Sequence, residues 1–171
     1  MIIMKKWIAF GVCAVMAVSM TACGSQKQTP PTTETSSVSQ MQTSNPFVSC
    51  ESIADAEKTA GFSLSLPEHA PDWATETTIR ATQSGMIEVV YLGNDNELRI
   101  RKGTGTEDIS GDYNTYETEE ELSVGDMLVQ VKGNAGKVSL ATWNNGTHSF
   151  SISIRNGMAQ EELNTLISSI G

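Results

Sequence analysis

From Met86 to Ile154 the chain repeatedly alternates apolar with polar residues, and most alternating runs end in a cluster of Gly, Asn or Asp. Alternation of period two marks a strand with one buried face. Met86 to Leu92 is one such run, and Gly93-Asn94-Asp95-Asn96 turns it into Leu98-Arg99-Ile100-Arg101, which predicts a β-hairpin. Tyr116 to Val124 predicts a further strand. Met127, Val129 and Val131 then alternate with Leu128, Gln130 and Lys132 before the turn Gly133-Asn134-Ala135-Gly136. Val138, Leu140 and Thr142 alternate with Ser139 and Ala141 before Trp143, and Asn144-Asn145-Gly146 leads to Phe150, Ile152 and Ile154. Asn-Gly tolerates the positive φ that tight hairpins need. Connections of this length cannot carry a parallel crossover, which takes about a dozen residues or more. The strands must therefore pair antiparallel.

The flanks of this run are helical. Ser49 is the expected N-cap of a first helix, with Val48 and Ile53 at staple positions, Ala56 and Ala60 on the Ile53 face, and Gly61 closing the end. Phe62, Leu64 and Leu66 alternate with serines, which predicts a strand ending at Pro67. Residues 68–73, bracketed by Pro67 and Pro71, read as a loop; Thr77 to Thr82 is a weaker strand centred on Ile79. Gly103 to Asn114 is the longest irregular piece. A last helix starts near Ala159, with Leu163, Leu166, Ile167 and Ile170 in a stripe and Glu161 and Glu162 at its amino end. The expected class is α+β: a mostly antiparallel, curved sheet of about 7–8 strands with an N-terminal and a C-terminal helix packed on it.

The first 46 residues do not fit that plan. Lys5 and Lys6 precede an uncharged apolar stretch from Trp7 to Met20, which is too short for a spanning helix of about 20 residues but suits a signal peptide. Met4-Lys5-Lys6 would itself make an ordinary start. The stretch closes on Met20-Thr21-Ala22-Cys23, which resembles the bacterial lipobox: an apolar residue, two small ones and a cysteine. The resemblance implies cleavage before Cys23 and a diacylglyceryl group, carrying acyl chains such as palmitate, on its sulfur. An ordinary secretory peptide cleaved near Ala22, with Cys23 left free, is the alternative. The expected organisation is a signal peptide over residues 1–22, a lipidated Cys23 with a Ser/Thr/Pro-rich tether over 23–46, and one domain over 47–171. The tether is too poor in apolar side chains to offset its ordering entropy, so it is expected to be a coil reaching roughly 25 Å.

Charge narrows the partners. The full chain carries −9, and loss of Lys5 and Lys6 with the leader leaves −11. Nucleic acids and anionic lipid headgroups need a basic footprint, so neither is expected as a ligand. Of three cysteines, Cys13 leaves with the leader and Cys23 is the lipid site, so Cys50 has no intrachain disulfide partner and is expected to be a buried, inert thiol.

Ala56 to Pro67, with its AGFSLSLP, together with the Trp143-Asn-Asn-Gly-Thr-His-Ser-Phe-Ser-Ile segment and the Glu161-Glu162-Leu163 helix, resembles domain of unknown function 4367. The resemblance spans nearly all of residues 50–170. It implies an α+β fold and an extracytoplasmic setting in lipoproteins and anti-sigma-factor-like proteins of Gram-positive bacteria, and it brings no catalytic residues. The His and Cys spacing of an anti-sigma zinc segment is missing.

Few residues suggest chemistry. His69 and His148 have no zinc-like spacing around them, and no Gly-x-Ser-x-Gly marks a nucleophile. Glu117, Glu119, Glu120 and Glu121, with Glu107, Asp108 and Asp112, lack the pattern of a calcium loop and read as solvated acids. Trp143 is either an exposed platform for sugar or peptide, or a core residue facing the last helix; packing favours the core. Arg99, Arg101 and Lys102 read as a solvated strand face, and the Asn145-Gly146-Thr147 sequon is disregarded in a bacterial setting. No catalytic residue, cofactor or metal is expected. The expectation is a monomeric, membrane-anchored extracytoplasmic lipoprotein with a non-enzymatic binding or sensing domain for a protein or cell-envelope ligand. A carrier holding a lipid or other apolar ligand, and a hydrolase with an unrecognised site, are the alternatives.

Overall fold

The computed structural model describes residues 45–171. The expected signal peptide, the expected lipid site at Cys23 and most of the expected tether lie outside these residues.

Eight antiparallel strands form one open, curved sheet, and two helices complete the α+β fold. In chain order the elements are β1 (Val48–Cys50), α1 (Ile53–Ala60), β2 (Glu76–Thr82), β3 (Met86–Gly93), β4 (Asn96–Thr104), β5 (Thr118–Val124), β6 (Met127–Asn134), β7 (Lys137–Asn144), β8 (His148–Met158) and α2 (Gln160–Ser169). The spatial order β1-β2-β3-β4-β8-β7-β6-β5 joins two four-stranded meanders through the β4–β8 pair. Residues 105–117 make the only long connection between strands after β2. They carry the chain from the sheet centre to its far edge.

The tight turns explain the meanders. Asn94 and Asp95 both have positive φ, 49° and 56°, as a type I′ hairpin turn demands. Ala135 and Gly136 do the same between β6 and β7. Period two then distributes the side chains. Ile87, Val89, Ile100, Ile152, Ala141 and Val129 line one face and pack with Ala56, Leu163, Ile167 and Ile170 from the helices. The opposite face carries a polar row across the cross-strand register: Arg80, Glu88, Arg101, Ser151, Thr142, Gln130, Glu121.

Four local expectations are corrected. The cap of α1 is Ser52, whose hydroxyl accepts from the Asp55 amide at 3.2 Å; Val48 and Ser49 are instead in β1, paired with β2. Gly61 does close the helix, at φ 86°. The Phe62–Leu66 segment joins no sheet. Its Leu64 amide donates to the Glu57 carboxylate at 2.9 Å and its Ser65 amide to the Gly171 carbonyl at 2.8 Å, so it lies against the two helix ends rather than beside a strand. In β7 Val138 packs on the core, but Ala141 and Trp143 rather than Leu140 and Thr142 continue its inward face, because bulges at Lys132/Gly133 and Val138/Leu140 shift the register. Cys50 is only half-buried, its thiol 3.5 Å from the Val48 carbonyl.

Candidate functional site

The helix-covered face is not fully closed. Between α2 and the segment Pro67–Trp73, above the central strands, a cleft of about 460 Å³ remains. Its floor is Tyr91 of β3, Leu98 and Ile100 of β4 and Ile154 of β8. Met158 and Leu166 form one wall, Trp73 and the two prolines the other. Glu68, His69, Glu162, Thr165 and Ser169 supply its polar groups. The size falls within the range of small-molecule pockets, about 300–1,000 Å³, and an apolar lining with few polar groups is the usual composition.

The sequence explains why this space stays open. Pro67 and Pro71 lack the N–H that a strand ladder requires, so the chain crosses here as a turn rather than as a ninth strand. The turn is pinned from two sides: Ala74 donates to the Pro71 carbonyl and Thr75 to the Leu92 carbonyl, both at 2.8 Å. Gly93 permits the second approach, since a Cβ there would collide with the Trp73 carbonyl oxygen.

Tyr91 is the one polar side chain of the floor. It is 7% exposed, and its hydroxyl has no hydrogen-bond partner among the described residues. Burial pushes the phenol above its ordinary value, so it stays protonated and can donate. Among the described residues neither Lys nor Arg lines the cleft.

The other sequence-selected residues fall elsewhere. His69 is at the cleft; His148 packs its ring edge-on to Phe62, with centroids 4.7 Å apart. Neither imidazole is hydrogen-bonded to a carboxylate or a hydroxyl among the described residues. Trp143 is 5% exposed and stacks on Phe150 at 5.1 Å, which makes it core rather than platform. The acids are dispersed: Glu107 and Asp108 line a separate polar cleft, while Glu117 accepts from the Ala135 amide at 2.9 Å and Glu119 pairs with Lys132 at 3.3 Å. Among the described residues no group of three or more His, Cys, Asp or Glu could hold a metal ion.

The supposed solvated face of Arg99, Arg101 and Lys102 is a correction. Glu88, fully buried, accepts from Arg80 and from Arg101, the latter at 2.6 Å, while Arg99 Nε stands 3.7 Å away. Burial alone would push the Glu88 carboxyl up, but the guanidinium hydrogen bonds and charges outweigh it and hold the group below its ordinary value. Arg101 also donates to the carbonyls of Ile109 and Ser110, tying the 105–117 connection down over the polar face. Lys102 points to the other side, 7% exposed, with Nζ 2.7 Å from the Ser63 carbonyl and close over the Phe62 and Phe150 rings.

No protein family, no curated protein and no solved structure matches this chain. Among the described residues no helix is long and apolar enough to cross a membrane.

Proposed function

We propose that this chain is a membrane-anchored extracytoplasmic lipoprotein, held through diacylglyceryl-Cys23, whose folded domain binds an apolar ligand without chemical conversion. The observation that carries the binding half is the apolar cleft between α2 and the Pro67–Trp73 turn. An open apolar cleft of this size leaves hydrocarbon against water, which a fitting apolar ligand would cover favourably. The cleft favours the carrier-like reading over a sensing surface without a pocket. The lipobox-like Met20-Thr21-Ala22-Cys23 supports the location. Two acyl chains provide the stable residence that a single chain does not.

Each half has its own test. In cells, a clickable palmitate analogue is expected to label the chain and not Cys23→Ser; equal labelling, or none in either, removes the anchor. For the cleft, Leu166→Trp fills the wall and is expected to abolish the fluorescence enhancement of an uncharged apolar dye such as N-phenyl-1-naphthylamine while the fold persists. Undiminished dye binding in that variant removes the cleft as the site.

A further inference from the structure

With the cleft as the binding site, on which this assignment rests, its polar groups narrow the chemistry of the occupant. Two carboxylates, Glu68 and Glu162, line it from opposite walls, the turn and α2. Among the described residues no Lys or Arg answers them there, and the chain's overall charge is −9. An anionic head such as a fatty-acid carboxylate would meet like charge without a counter-ion. A cationic head meets complementary charge.

Tyr91 adds an independent hydrogen-bond donor. Its side chain is 7% exposed, yet its hydroxyl is not sealed from water, so it is open to a partner arriving in the cleft. Among the described residues Tyr91 has none, although it belongs to the cleft floor. Its neighbours on that floor, Leu98, Ile100 and Ile154, offer no acceptor side chain. A ligand can supply one.

We infer that the cleft takes a cationic amphiphile: an apolar body against Trp73, Leu98 and Leu166, a hydrogen-bond acceptor received by the Tyr91 hydroxyl, and an ammonium group held between Glu68 and Glu162. The three requirements are separable, because they fall on different residues and different parts of the ligand.

Three probes built on a ten-carbon chain separate them by calorimetric titration of the full chain below their micelle concentrations. Decanoylcholine has tail, ester carbonyl and cation; decyltrimethylammonium lacks the carbonyl; decanoate replaces the cation with an anion. Decanoylcholine is expected to bind tightest and decanoate weakest. Tyr91→Phe is expected to weaken decanoylcholine by roughly tenfold and to leave decyltrimethylammonium unchanged, the scale of one net hydrogen bond. The pair Glu68→Gln with Glu162→Gln is expected to weaken both cations by roughly fivefold and to flatten their salt dependence, as for solvent-exposed ion pairs.

Decanoate binding as tightly as decanoylcholine, with both Gln substitutions silent, overturns the cationic assignment and leaves the cleft reading standing. Tyr91→Phe weakening both cations equally overturns the acceptor assignment. If no probe binds and Leu166→Trp instead alters self-association in sedimentation, the occupant is a second copy of the chain, and both this inference and the small-ligand reading fall. Thermal unfolding of each variant, measured without probe, separates lost binding from lost fold.

Discussion

Glu88 and Arg101 face each other across β3 and β4, and the carboxylate of one, wholly removed from water, accepts the Nε–H of the other at 2.6 Å. Arg80 approaches the same carboxylate from β2. One acid thus fastens three strands on the face that the helices do not cover, and through Arg101 it also fastens the 105–117 connection.

Substituting Glu88→Gln keeps the shape and removes the charge that the guanidinium groups share. The expected loss is about 3 kcal/mol in urea unfolding, the low end for breaking a buried pair, because Arg80 and Arg99 remain 29% and 30% exposed and water screens them. The carboxyl lies below its ordinary value when folded. Its stabilisation is therefore complete above the ordinary carboxylate range and is lost as pH falls through the folded value. Glu88→Gln should flatten the acid limb of the stability profile, and a steep limb retained in that variant would assign it to other carboxylates.

Trp143 of β7 stacks on its cross-strand partner Phe150 of β8, away from the apolar cleft. Trp143→Ala should cost about 3–5 kcal/mol, as for truncation of a buried aromatic. A loss below about 1 kcal/mol would return this residue to the surface.

At Gly93 an added Cβ collides with the Trp73 carbonyl oxygen and comes within 2.9 Å of the Thr75 nitrogen. Gly93→Ala must therefore push the Trp73–Thr75 backbone away from β3 and widen one wall of the cleft. We expect about 1–3 kcal/mol of destabilisation together with red-shifted tryptophan emission. Unchanged emission would mean that the turn follows the sheet rather than leaving it.

Lys102 is the buried cation on the apolar face. Burial pulls its ammonium below the ordinary value, and the nearby Glu57 charge opposes this only in part. A lowered folded value means that the domain gains stability as pH rises through it toward the ordinary lysine value. Lys102→Met forfeits the hydrogen bond to Ser63 but ends the desolvation cost, which is the larger quantity. The variant should match or exceed the parent by up to about 1 kcal/mol at neutral pH, with a flatter alkaline profile. A variant more than about 1 kcal/mol weaker would show that the rings and carbonyl fully compensate the charge.

Much of the sheet obeys local rules. Asn94-Asp95 and Ala135-Gly136 set hairpin centres, and a hairpin centre sets register by counting, so the pairing of Glu88 with Arg101 was legible once the Gly93–Asn96 turn was recognised. The same counting puts Lys102 on the face of Leu98 and Ile100, although three basic residues close together read as solvated when judged by type alone. The bulges that turn Ala141 and Trp143 inward are different: they arise in the pairing of β7 with β6 and β8, so alternation carried on from Val138 through Leu140 and Thr142 points the wrong way.

The chain order of residues determined the strands β2 to β8, their antiparallel sense and the amphipathic stripe of α2, because spacing, turn chemistry and capping act over a few residues. Tertiary structure alone decided that β4 pairs with β8, that Phe62–Leu66 lies outside the sheet, and that Tyr91, Trp73 and Leu166 meet around one cleft. Those outcomes compare surfaces far apart in sequence: which apolar faces cover one another, and which polar groups are left without a partner when they do.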